Sequence, residues 1–128
     1  MSYSQPCCTV SGIDVLISDD CTCTEEFVAI ISFGDLTFDV GVQIIANSVI
    51  IDVAGDVIGN FGTKLISSTE MDISAFGLSF IGALLSAPDM DLAASGRGIL
   101  LDRCTVSSSE TRLDGTTIKL DSVFLVLP

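Results

Sequence analysis

Residues Phe27–Ile45 read FVAIISFGDLTFDVGVQII. Two apolar runs flank Gly34-Asp35. In the second, Leu36, Phe38, Val40, Val42 and Ile44 alternate with Thr37, Asp39, Gly41 and Gln43. Side chains of a strand point to opposite faces with period two, so this run predicts a strand with one buried and one wet face. The Gly-Asp step suits a tight turn, because glycine tolerates positive φ, and the two runs together predict a hairpin. The wet face, Thr37, Asp39, Gly41 and Gln43, carries one carboxylate and no Lys or Arg.

Upstream lie a short polar arm (1–8), a predicted strand (9–17) and an acidic loop (18–26) holding Cys21 and Cys23. Downstream, strands are predicted over 49–54, 89–95, 99–108 and 116–127, with a glycine-interrupted strand or loop over 57–67. The segment 69–86 admits two readings. Ile73, Phe76, Phe80 and Leu84 recur at helical spacing, Ser67, Ser68 or Thr69 can cap the start, and Pro88 ends it. Phe76, Leu78 and Phe80 also fit strand alternation, and Gly77 and Gly82 weaken a helix by about 1 kcal/mol each. The helix, over about 70–86, is the preferred reading. No fixed-period repeat is evident. The end of the last strand is apolar on both faces, so Val123, Leu125 and Leu127 are expected to form a subunit contact. The expected fold is a single, mainly β domain: a β-sandwich or barrel of antiparallel strands with one flanking α-helix.

Composition narrows the function. The chain has 128 residues, 48% of them hydrophobic, and a mean hydropathy of +0.67, high for a soluble monomer. Part of the apolar surface is therefore expected to be buried between subunits. Seventeen acidic residues face five basic ones, giving a net charge of −12, and no Lys or Arg precedes Lys64. Tight binding of nucleic acid needs clustered cations, so DNA is expected only as non-specific cargo. The start, MSYSQPCCTV, lacks a basic region and an apolar core, so no signal peptide is predicted and synthesis is expected in the host cytoplasm. The most apolar stretch is too short to span a bilayer, so no membrane partner is expected.

No catalytic motif emerges. Histidine, the commonest general base, is absent. Cys7, Cys8, Cys21, Cys23 and Cys104 admit three readings: free structural thiols, a four-thiolate zinc site, or disulfides formed after release into an oxidising medium. The odd count, with four cysteines in an arm and a loop, favours disulfides between subunits. No cofactor or metal is expected.

The segment Gly96–Pro128, GRGILLDRCTVSSSETRLDGTTIKLDSVFLVLP, resembles the end of phage tail tube proteins and their secretion-system relatives. The likeness is in pattern: an apolar strand, a Ser/Thr-rich strand and a closing alternating strand. It implies a β-sandwich or barrel with one helix, hexameric rings stacked into a tube, and a sheet lining a DNA channel. The expected function is thus a non-enzymatic, self-assembling virion subunit, whose partners are itself and other virion proteins. Thr37, Asp39, Gly41 and Gln43 would line the lumen. The alternatives are a capsid decoration protein and a small cysteine-based metal-binding module.

Overall fold

The computed structural model describes residues 9–126 apart from residue 19, with backbone only for 23–27 and 125–126. All regular elements among them are strands: β1 (Thr9–Gly12), β2 (Val15–Ile17), β3 (Cys21–Ser32), β4 (Leu36–Phe38), β5 (Gln43–Val53), β6 (Asp56–Gly59), β7 (Lys64–Ile81), β8 (Leu84–Ser86), β9 (Asp89–Asp102), β10 (Thr105–Ser107), β11 (Glu110–Gly115), β12 (Ile118–Asp121) and β13 (Phe124–Val126). Every pairing is parallel.

The pairings sort into three columns, which make the chain a parallel β-solenoid. Face A stacks β1, the ends of β3 and β5, the middle of β7, the start of β9, and β11. Face B stacks β2, β4, β6, the ends of β7 and β9, and β12. Face C stacks the starts of β3, β5 and β7, then β8, β10 and β13. Each face thus has six levels, here called rungs. A residue's partner on the next rung is 21 positions on at Asp14–Asp35 and Asp35–Asp56, 23 at Cys21–Ile44 and 19 at Asp72–Asp91.

Alternation within each short strand sends one set of side chains inward. Leu36, Val57, Leu78 and Ile99 stack on face B, Val49, Met71 and Met90 on face A, and Ile44, Leu65 and Leu85 on face C, all buried. A coil this narrow has no second layer, so nearly all its core is rung-on-rung contact.

The corners carry their own ladders. Between faces B and C each rung from the second onward places one residue in the left-handed region: Gly41 (φ 77°), Gly62 (84°), Gly82 (62°), Arg103 (54°) and Ser122 (53°). That conformation costs an L-residue about 1–2 kcal/mol, so Arg103 and Ser122 are strained where the earlier rungs use glycine. Between faces A and B, the Asp35 N–H donates to Asp14 Oδ1 (3.0 Å) and the Asp56 N–H to Asp35 Oδ1 (2.9 Å). Inside the corners, buried serines satisfy turn carbonyls. Ser67 Oγ lies 2.8 Å from Asn47 O and 2.6 Å from Glu70 O, and Ser108 Oγ lies 2.6 Å from Glu110 O.

This architecture corrects the expected fold. There is no β-sandwich or antiparallel barrel, and segment 70–86 is not a flanking helix but most of β7 together with β8. The hairpin at Gly34-Asp35 is instead a corner: Leu36 continues onto face B and pairs with Val15 and Val57. A period near 21 residues replaces the absence of any repeat. The expected arm, 1–8, lies outside the described residues. Among the described residues no helix is long and apolar enough to cross a membrane.

Candidate functional site

The residues expected to line a lumen do not share a surface. Thr37 sits on face B, Asp39 and Gly41 occupy the corner between B and C, and Gln43 begins face C. Asp39 Oδ1 accepts the N–H of Val40 (2.8 Å), and the Gln43 N–H donates to Asp20 Oδ1 (2.8 Å). Of the expected subunit contact, Val123 packs against the core, Leu125 pairs with Val106 through the backbone, and Leu127 lies outside the described residues.

The expected inter-subunit disulfides are corrected as well. Cys104 is a free thiol buried inside the coil, its Sγ 3.2 Å from Phe80 O. Burial pushes its pKa up, so the thiol stays protonated and is a poor nucleophile or metal ligand. Cys21 is also buried, at an inward position of face C. No bond joins these two described cysteine side chains, and neither points toward a neighbour. Cys7 and Cys8 lie outside the described residues, as does the side chain of Cys23. Among the described residues, no group of three or more Cys, Asp or Glu could hold a metal ion.

Three surfaces not foreseen from the sequence are candidates for function. The first is an acidic ladder on face A. Glu70, Asp89 and Glu110 succeed one another in register, and beside them run Asp72, Asp91 and Arg112. Arg112 reaches Glu110 Oε1 (2.7 Å), Asp89 Oδ1 (3.1 Å) and Asp91 Oδ2 (3.6 Å). One guanidinium does not offset this many carboxylates. Burial, then the Asp91 and Glu70 carboxylates, raise the Asp72 pKa above its ordinary value. The folded state therefore holds the Asp72 proton at a pH where the unfolded chain has lost it. Stability from this group is present at low pH and lost as pH rises through the folded pKa. Asp72→Asn is expected to stabilise the protein by up to about 1 kcal/mol at neutral pH, since like charges directly opposite on a sheet are destabilising. The gain should vanish below pH 4, which urea midpoints at both pH values would read.

The second surface is a groove of about 480 Å³ on face B, lined by Asp56, Ile58, Ser79, Arg97, Leu100 and Lys119, with Thr117 at its edge. Two of the five cations in the chain meet there.

The third is the C-terminal end of the coil. Ile118 and Leu120 occupy the face B columns that Ile99 and Leu101 hold one rung earlier. Ile99 and Leu101 are 2% and 1% exposed, whereas Ile118 and Leu120 are 42% and 47% exposed. The opposite end is closed: Val10, Val15, Ile17 and Cys21, on the first rung, are buried as deeply as mid-coil positions. Only the terminal exposure could have been read from the sequence, as the doubly apolar end of the last strand. The groove needed the rung register, which places residues 20 or so apart side by side. Compared with protein families, curated proteins and solved structures, the chain matches none.

Proposed function

We propose that this protein is a non-catalytic, self-assembling structural subunit of a virion, and that it associates through the open C-terminal end of its coil. The observation that carries this reading is the contrast between Ile118 and Leu120 and their buried counterparts on the rung before. An uncovered core and an edge of unpaired backbone groups at one end make a template for another sheet. The occupant is a second copy of the chain. The closed first rung offers no matching core for a head-to-tail stack, so two copies meet tail to tail around a two-fold axis. Such a pair continues all three sheets across the junction, and other virion proteins would meet its sides.

Light scattering with size-exclusion chromatography tests this. A concentration-dependent dimer is expected, weakened at least tenfold by Leu120→Asp while circular dichroism stays unchanged. Hydrogen exchange of the unaltered protein should show protection of β12 and β13 rising with concentration. A strict monomer, or a dimer whose formation leaves exchange in β12 and β13 unaltered, would overturn the reading.

A further inference from the structure

We propose that the groove on face B binds a small polyhydroxylated carboxylate, in chemical class a sugar acid. Ile58, Ser79, Leu100 and Lys119 follow one another in register on successive rungs and form its floor. Asp56 and Arg97 form its wall. At about 480 Å³ the groove falls in the size range of small-molecule sites.

The polar groups define what fits. Arg97 is held in place from two sides: its guanidinium lies 5.8 Å from the centre of the Phe76 ring, and its Nε lies 3.6 Å from Asp56 Oδ2. A guanidinium fixed in this way presents its remaining N–H donors as a fork suited to a carboxylate. Lys119 has no ion pair among the described residues and adds a second positive charge on the floor. Asp56 Oδ1 points the other way in chemical terms. It is buried and has no hydrogen-bond partner, so it calls for a donor. A bare inorganic anion offers no donor there and would be repelled by that oxygen. A carboxylate carrying neighbouring hydroxyls supplies the donor and the negative charge together. Its C–H face can then rest on Ile58 and Leu100, which a fully polar anion would leave unmatched.

The test is an NMR titration of the full chain with sodium D-glucuronate, with D-glucose and sodium acetate as controls at matched ionic strength. Saturable shifts are expected at the amides of Ile58, Ser79, Leu100 and Lys119. Glucuronate should bind about tenfold more tightly than either control, the separation a few well-placed polar contacts provide. Arg97→Gln and Lys119→Gln, both exposed substitutions, should each weaken binding about fivefold or more without altering circular dichroism. Equal responses to acetate and glucuronate would overturn the proposal, because they would report only a local positive potential. Shifts scattered over other faces, or none at millimolar glucuronate, would overturn it too.

Discussion

Gly59→Val is expected to cost about 3 kcal/mol of stability and to loosen the middle of the coil. Gly59 occupies an inward position of face B, in register between Phe38 and Phe80. Both phenylalanines are fully buried, and a Cβ on residue 59 would run into Cδ1 and Cε1 of Phe80. The ring has no room to give, since inward residues of the neighbouring rungs surround it. A glycine in a strand forfeits about 0.5–1 kcal/mol of backbone entropy, which any substitution would recover. Overpacking a tight core costs about 1–3 kcal/mol, occasionally more, so the steric term wins. Urea unfolding followed by circular dichroism would measure the loss. Combining Gly59→Ala with Phe80→Leu should cost less than the sum of the two single changes, because the smaller side chain vacates the space the new Cβ needs. Strict additivity would mean that the ring and the glycine are not coupled.

A second large effect is expected at Gly98, but a local one. Gly98 has φ of 105°, and a Cβ there would strike the Thr117 carbonyl oxygen. That same oxygen accepts the Ile99 N–H at 2.8 Å and ties the fifth rung to the sixth. Gly98→Ala adds backbone strain of about 1–2 kcal/mol and weakens a bond worth about 1 kcal/mol. In a solenoid each rung touches only its neighbours, so the damage is confined to the junction it hits. The sixth rung should detach while the first five stay folded. Hydrogen exchange should show β11, β12 and β13 losing protection and β3 to β7 keeping theirs. A uniform loss of protection across all rungs would contradict this picture. The same variant should fail to dimerise, because the end it loses is the proposed contact.

Much of the strand content was legible in the sequence, whereas the pairing was not. The alternation of Leu36 and Phe38 with Thr37 correctly marks a strand with buried and exposed sides. What alternation cannot reveal is the partner. In an antiparallel hairpin the partner follows a short turn, whereas here Leu36 pairs with Val15 and Val57, a full circuit away in each direction. Gly34-Asp35 looks the same to a sequence reading whether it reverses the chain or turns it onto a new face. The signal that could have decided was Asp14, Asp35 and Asp56 at equal spacing, together with Gly41, Gly62 and Gly82 nearly so. Unequal corners blur that period elsewhere.

The false helix has a specific cause. Within β7, Met71, Ile73 and Ala75 point inward on face A, and Leu78 and Phe80 point inward on face B. The phase slips by one residue at the corner, where Phe76 stands half exposed and Gly77 takes the bend. A slip in a two-residue period creates intervals of three, and the residues on either side then imitate a helical stripe. The cysteines misled for a different reason. Their odd count and loop-rich placement suited bonds between subunits, yet Cys104 fills an inward place that Val, Thr or Ala fills on other rungs.

The stacking of rungs also sets a length. Neighbouring strands lie about 4.8 Å apart, so the first and sixth rungs are separated by about 24 Å along the coil axis. The protein is in this sense a ruler with one graduation per circuit. Inserting or removing a whole circuit of about 21 residues would change the span by one graduation and leave the outline of every cross-section as it was.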